Sequence, residues 1–131
     1  MKIIGIGIDL VEINRIKNIF QHFKKRFVYK ILTRYELSIY KKNKNKDKKI
    51  KVLAKYFSVK EAAVKALNTG FTNGIFFNQI ELLHYKTGKP RLKFYSKALK
   101  IIKNITNNYY IHISISDEIN YTCAIVIIEK I

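Results

Sequence analysis

A helix predicted over residues 50–69 constrains the fold of this chain more than any other segment. The segment is built from good helix formers, contains no proline and is stopped by Gly70. Its apolar residues recur at helical spacing and form a broad arc, which is typical of a helix packed against a core. They are Val52, Leu53, Tyr56, Phe57, Val59, Ala63, Val64 and Leu67.

Three charged residues of this helix are candidates for a functional role. Glu61 and Lys65 are four residues apart, so they lie one above the other at the margin of the arc. A side chain there can be held firmly and still meet a ligand. A plain surface pair, which stabilises a helix by roughly 0.2–0.5 kcal/mol, is the more common explanation of the spacing alone. Lys60 falls within the arc, so its ammonium must reach past the apolar surface to water or to an anionic partner.

Residues 2–9 predict a strand that ends at Asp9. Alternation places Asp9 on the same face as Gly5 and Gly7. The two glycines clear space on that face, as expected where a ligand or another backbone comes close. Asp9 then either meets a ligand or caps the helix that follows, and capping is the more common role.

The other elements follow from local patterns. A helical period begins at Val11, and Thr33 with Glu36 forms a capping-box pattern that opens a helix through about Tyr40. The lysine-rich residues 41–49 predict a mobile loop or a frayed helix end with an electrostatic role. Strands are predicted over 74–84, 91–94, 109–116 and 121–129, and a helix over 96–105. The apolar stripe of the first helix is Ile13, Ile16, Ile19, Phe20, Phe23 and Phe27.

His112 shares one face of its predicted strand with Ser114 and Ser116. A serine hydrolase explains this row poorly, because no Gly-x-Ser-x-Gly elbow accompanies it. A polar row that lines a ligand site is the better interpretation. Gly88 and Pro90 fit a plain hairpin turn.

The length of 131 residues predicts one domain, residues 1–131, with one core. We expect neither a secretory signal nor a membrane span, because no segment has the required apolar length. The single cysteine, Cys123, excludes an intrachain disulfide and fits a reducing cytoplasm.

The formal net charge of +17 predicts attraction to an acidic partner, which is a nucleic acid, an anionic membrane or an acidic protein. The abundance of lysine also fits a coding sequence rich in A and T, so charge alone selects no partner. A small basic nucleic-acid-binding module is the main alternative function, because nine tyrosines and eight phenylalanines could stack on bases.

Five stretches together resemble the holo-acyl-carrier-protein synthases, the small phosphopantetheinyl transferases. Residues 57–70 (FSVKEAAVKALNTG), 5–16 (GIGIDLVEINRI) and 112–117 (HISISD) are similar to the three family signatures. Residues 31–36 (ILTRYE) and 88–92 (GKPRL) also follow the family. The stretches occur in the family order over essentially the whole chain.

The resemblance implies an α+β fold in which a mostly antiparallel sheet packs against a long central helix. It implies Mg²⁺-dependent transfer of 4′-phosphopantetheine from coenzyme A to a serine of an apo-acyl carrier protein, with release of 3′,5′-ADP, in support of fatty acid biosynthesis. Asp9 and Glu61 would be the metal ligands, and Lys65 would be catalytic with them. A metal-bound water or Glu61 would take the serine proton.

The resemblance also implies contacts with substrates and with further copies of the chain. Coenzyme A would be bound by Lys60, Lys65, Gly70, Lys89, Pro90 and His112. The acidic carrier protein would be gripped by Arg15, Lys25 and Arg26. The family assembles as a homotrimer with its sites at subunit boundaries, so we expect the same here. A partner nucleic acid and membrane insertion are not expected.

Overall fold

A three-stranded antiparallel sheet packs against one long helix in the computed structural model, which describes residues 1–72 and 74–131. The helix, α4, is 21 residues long. The elements in chain order are β1 (Lys2–Glu12), α1 (Ile13–Phe23), α2 (Lys25–Ile31), α3 (Arg34–Lys42), α4 (Lys46–Ala66), a short 3₁₀ helix (Phe77–Gln79), β2 (Ile80–His84), β3 (Pro90–Phe94), α5 (Ser96–Ile105), β4 (Tyr109–Asp117) and β5 (Tyr121–Lys130).

The sheet order is β1-β5-β4, and β2 and β3 form a separate antiparallel hairpin. The α4 helix contacts both β1 and β5, so the sheet and the helix enclose the core between them. The predicted fold class, an antiparallel sheet against a long central helix, is confirmed. The predicted helix over 96–105 coincides with α5, and β4 and β5 each extend one residue beyond their predicted ends.

Two glycines set the distance between β1 and α4. A Cβ atom on Gly5 would lie 1.8 Å from the carbonyl oxygen of Ala66, and one on Gly7 would lie 1.8 Å from that of Ala62. The sequence left open whether a ligand or a backbone comes close to these glycines, and the structure shows the backbone of α4. Two residues of strand rise by about 6.7 Å and four residues of helix by about 6 Å, so the two elements stay in step.

The first predicted helix is interrupted. Lys24, with φ of 47°, separates α1 from α2 and turns the chain. The prediction of one continuous helical stripe from Ile13 to Phe27 is therefore wrong at this break. Phe23 is 51% exposed, whereas Ile16 and Phe27 are buried as the stripe predicts. The positive φ of a lysine has no local sequence signal that would have marked the break.

The lysine-rich segment is helical except at residues 43–45, so of the two predicted alternatives the end of a helix fits it better than a mobile loop. Helix α3 continues to Lys42 and α4 begins at Lys46. The Asn45 side chain caps α4 by accepting hydrogen bonds from the backbone N–H groups of Asp47 at 2.9 Å and Lys48 at 3.1 Å. At its other end α4 stops at Ala66, before the predicted Gly70, and Asn68 takes a left-handed conformation with φ of 62°.

Other local predictions can be compared directly. The capping box of Thr33 and Glu36 is present at the start of α3. The strand predicted over 74–84 begins only at Ile80, because the 3₁₀ helix occupies the residues before it. In the parts of the chain that the structure describes, no helix combines the length and the apolar character needed to cross a bilayer.

The face of the sheet away from α4 is apolar on two strands. Ile6, Ile8 and Leu10 of β1 are 56%, 58% and 64% exposed. They pair with half-buried residues of β5, which are Ile127, Ile125 and Cys123 in the same order. We call these six residues the outer apolar face. On the third strand, β4, the corresponding row is polar.

Candidate active site

The packing of β1 on α4 brings Asp9 and Lys65 into contact. The Lys65 ammonium donates to Asp9 Oδ1 at 3.1 Å and to the backbone oxygen of Ile8 at 2.9 Å. The Ser58 hydroxyl donates to the backbone oxygen of Asp9 at 3.0 Å, which fixes this part of β1 against α4. Glu61 lies one helical turn from Lys65, and its charge interacts with that of Asp9.

Burial dominates the electrostatics of the two carboxyl groups. Burial raises the pKa of Asp9, and this is opposed by the hydrogen bond and charge of Lys65 and by the charge of Arg15. Burial also raises the pKa of Glu61, and the negative charge of Asp9 raises it further, against the opposing charges of Lys65 and Arg15. A cation placed between the two carboxyl groups would favour their charged forms and offset these effects.

The residues present fit a hard divalent cation. Asp9 Oδ2 is buried and has no hydrogen-bond partner in the described part of the chain, so one carboxylate oxygen remains available to a metal ion. Within residues 1–72 and 74–131, no group of three or more His, Cys, Asp or Glu side chains could hold a metal. A site of two carboxylates suits Mg²⁺, which keeps several waters and takes only one or two protein carboxylates.

The predicted carrier-binding residues occupy different places. Arg15 lies close enough to the site for its charge to lower the pKa of both carboxyl groups. Arg26 lines a shallow pocket between α1 and α2, beside the exposed ring of Phe23. Lys25 lines a different cavity, on the side of α3. The structure thus separates Lys25 from Arg26, although they are neighbours in sequence.

The predicted contact between Lys60 and coenzyme A is wrong. The Lys60 side chain is fully buried, and its ammonium forms an ion pair with Glu36 Oε1 at 2.6 Å. The same ammonium donates to the backbone oxygens of Ile31 at 2.6 Å and Phe77 at 3.1 Å. Its position in the apolar arc predicted either water or an anionic partner, and the structure shows the anionic one, Glu36.

His112 is on the other side of the sheet from Asp9. Asp9 pairs with the buried Ala124 on the face that packs on α4, whereas His112 lies on the opposite face, 50% exposed and 2.9 Å from Glu129 Oε2. Within a single chain, His112 and the carboxyl group of Asp9 therefore lie on opposite faces of the sheet and do not meet. Lys89 and Pro90 lie at the turn of the β2–β3 hairpin, and β3 packs beside β4.

Gly70 follows the end of α4 with φ of 62°, a conformation that glycine adopts without strain. Sequence reasoning missed two residues that position the site. Ser58 holds the backbone of Asp9, and Glu36 neutralises the lysine next to Glu61. The local pattern of Glu36 predicts only its capping role, because its ion pair with Lys60 joins residues 24 positions apart in the sequence.

A family model for the 4′-phosphopantetheinyl transferase superfamily matches residues 5–126. A holo-[acyl-carrier-protein] synthase from Buchnera aphidicola subsp. Schizaphis graminum is 53% identical over 130 residues, which cover 99% of this chain and 100% of the relative.

Two solved structures are similar over nearly the full length. The holo-[acyl-carrier-protein] synthase from Neisseria meningitidis has a TM-score of 0.85 and 34% identity, covering 98% of this chain and 99% of the other. That from Bacillus anthracis, solved in complex with CoA (3′,5′-ADP), has a TM-score of 0.81 and 31% identity, covering 99% of each chain.

Proposed function

Because this chain belongs to the 4′-phosphopantetheinyl transferase superfamily, we propose that it acts through a metal site formed by Asp9 and Glu61. Its activity is that of a holo-[acyl-carrier-protein] synthase, which transfers phosphopantetheine from coenzyme A to an acyl carrier protein. The observation that carries the metal proposal is the unpartnered buried oxygen of Asp9 beside the charge of Glu61.

Asp9 and Glu61 would hold Mg²⁺, and Lys65 would remain beside them. When bound, the ion would supply neutralisation of charge on the pyrophosphate of coenzyme A. The Lys65 ammonium, already directed at Asp9, is placed to steady the pyrophosphate or to protonate the leaving 3′,5′-ADP. Glu61 is a candidate acceptor for the proton of the carrier serine as its hydroxyl attacks the β-phosphate. The holo-carrier would then serve fatty acid biosynthesis in the cytoplasm.

Transfer of this kind needs in-line placement of the serine hydroxyl more than covalent help from the protein. The close packing of β1 on α4 supports that placement, since the backbone of α4 lies directly against Gly5 and Gly7. The proposed contacts for coenzyme A are Lys65, Gly70, Lys89, Pro90 and His112. Lys60 is not among them, because its side chain is fully buried. Residues 1–131 would form one transferase domain.

A homotrimer is proposed as the active assembly. The outer apolar face (Ile6, Ile8, Leu10, Cys123, Ile125 and Ile127) is a contiguous patch of apolar side chains. Exposed patches of this kind mark interaction surfaces, which favours burial of this one against other copies. His112 lies on the same side of the sheet, so a neighbouring copy would bring it to a second chain's carboxylates. This arrangement would account for a predicted contact that one chain cannot make.

Arg15, Lys25 and Arg26 are the proposed contacts for the acidic carrier protein. Arg15 is exposed and lies close to the carboxylates, so a carrier bound there would present its serine to the site. The net charge of +17 would steer the carrier toward the enzyme. Family membership favours this function over the nucleic-acid-binding module that the charge also allowed.

Calorimetric titration of coenzyme A with and without Mg²⁺ tests the metal assignment. We expect Mg²⁺ to strengthen binding to the wild-type chain and to have no effect on Asp9→Asn or Glu61→Gln. Glu118→Gln, an exposed carboxylate in the turn between β4 and β5, is the matched control and should respond like the wild type. If Mg²⁺ strengthened coenzyme A binding to both site variants as it does to the wild type, Asp9 and Glu61 would be excluded as ligands.

A further inference from the structure

A cavity of about 540 Å³ lies between α1, α2, α3 and the first turns of α4. The catalytic residues Asp9, Glu61 and Lys65 do not line it. Its volume falls in the range of about 300–1,000 Å³ that is typical of small-molecule sites. Of its lining residues, only Lys25 has a role in the transferase activity proposed above, as a contact for the carrier protein.

The inner wall of the cavity is apolar. Val28, Tyr40 and Ile50 are 3%, 6% and 7% exposed, and the half-buried side chains of Phe20 and Leu37 complete the wall. Of these five side chains only Tyr40 carries a polar atom. A purine base, which needs several hydrogen-bond partners, would find few of them here, whereas a hydrocarbon chain would bury its surface.

The mouth of the cavity is strongly basic. It is lined by Lys17, Lys25, Lys41, Lys46 and Lys49, with Asp47 as the one acidic residue. Over residues 1–72 and 74–131, no carboxylate lies within 4.0 Å of these ammonium groups.

Aromatic rings hold two of the ammonium groups at the mouth. Lys41 lies over the ring of Tyr29, at 5.9 Å from its centroid, and Lys49 over the ring of Tyr40, at 5.4 Å. Both rings belong to the lining of the same cavity. The cavity thus presents unneutralised positive charge at its mouth above an apolar interior.

We propose that this cavity binds a medium-chain fatty acid, with the carboxylate on the lysines and the alkyl chain against the apolar wall. The charge at the mouth and the apolar wall complement the two ends of such a molecule. An inorganic anion would leave the apolar wall unused, and an uncharged chain would leave the lysines unused.

Methyl NMR of the full chain, titrated with decanoate below its micellar concentration, tests the proposal. We expect saturable shifts of the methyl signals of Val28, Leu37 and Ile50. Hexanoate should bind more weakly, by about fourfold for each methylene group removed from the buried chain. Decanol, which has the same chain without the charge, should bind more weakly than decanoate.

Charge reversal at the mouth separates the proposal from nonspecific attraction. Lys41→Glu combined with Lys49→Glu should weaken decanoate binding by about tenfold or more and leave decanol unaffected. Lys97→Glu combined with Lys103→Glu makes the same change of net charge on exposed positions of α5 and should leave decanoate binding near the wild-type value.

Three results would overturn the proposal. Equal binding of decanol and decanoate would show that the lysines do not contribute to binding. If the α5 double variant weakened decanoate binding as much as the variant at the mouth, the effect would come from the net charge of the protein and not from these lysines. Shifts of the same methyl signals by 3′,5′-ADP, together with competition against decanoate, would assign the cavity to the nucleotide of coenzyme A. None of these results depends on whether Asp9 and Glu61 bind a metal.

Discussion

At the scale of single residues, Lys60 joins several segments of the chain through one ammonium group. It contacts Glu36 of α3, the backbone of Ile31 at the end of α2 and the backbone of Phe77 in the 3₁₀ helix. Glu36 in turn accepts hydrogen bonds from the backbone N–H groups of Thr33 and Leu82. Lys60, the residue before Glu61, therefore stabilises the packing of α4 against these segments.

Lys60→Met should destabilise the fold strongly. The substitution keeps the length of the side chain but leaves the buried charge of Glu36 without its counter-ion, which costs about 3–5 kcal/mol in such cases. Chemical denaturation monitored by circular dichroism measures the loss.

Two further variants make the Lys60→Met result interpretable. Lys51→Met, on an exposed position of the same helix, should leave the free energy of unfolding close to wild type. Adding Glu36→Gln to Lys60→Met should recover part of the loss, because no unpaired charge remains. Wild-type stability in Lys60→Met alone would show that the pair contributes nothing.

The sequence predicted the relative positions of Asp9, Glu61 and Lys65 better than it predicted the contacts of Lys60. The spacing of Glu61 and Lys65 placed them on one side of a helix, and alternation placed Asp9 with the two glycines, as observed. The partner of Lys60 could not be predicted, because Glu36 lies on another helix and satisfied its local pattern as a cap.

At the scale of elements, the contact between β1 and α4 determines the geometry of the site. Gly5 faces Ala66, Gly7 faces Ala62, and the backbone of Asp9 receives the hydrogen bond from Ser58. Each step of two residues along the strand corresponds to four residues back along the helix. Any change in this spacing moves Asp9 relative to Glu61 and Lys65.

Gly7→Ala should lower both stability and activity. The new methyl group would meet the backbone oxygen of Ala62, which cannot rotate away, so β1 must move from α4. Overpacking of this kind costs about 1–3 kcal/mol, and the displaced Asp9 should reduce turnover further. Thermal unfolding and carrier modification are the two measurements.

Lys2→Ala, at the exposed start of the same strand, is the control for Gly7→Ala and should preserve both properties. A Gly7→Ala chain with the melting temperature and turnover of the wild type would contradict the close packing. Loss of stability with full turnover would separate the packing from the position of Asp9.

Element boundaries could be predicted where local chemistry decides them. The capping box located the start of α3, and clean alternation located β4. The charge density of residues 41–49 predicted a loop or a frayed helix end, and the Asn45 cap and the packing of α4 keep most of these residues helical. The break at Lys24 depends on how α1 and α2 pack, which single-residue patterns do not report.

At the scale of the whole molecule, the outer apolar face is the surface that one chain leaves uncovered. If it is buried between copies, Ile6→Asp should dissociate the assembly, because a carboxylate would be desolvated at the contact. Sedimentation velocity should show a trimer for the wild type and a monomer for the variant. Activity should fall with the assembly if His112 acts on a neighbouring chain.

Lys2→Asp places the same charge at the exposed start of β1 and should remain trimeric. Circular dichroism must show that Ile6→Asp still folds. A wild-type chain that is monomeric and fully active would refute the proposed role of the outer apolar face.

The measurement that tests the central claim most directly is the mass of the acyl carrier protein after incubation with this chain, coenzyme A and Mg²⁺. We predict that the carrier gains one phosphopantetheine group with the wild-type chain. With Asp9→Asn or Glu61→Gln, each folded with a melting temperature close to wild type, we predict no gain. Near-normal modification of the carrier by both folded variants would contradict the account.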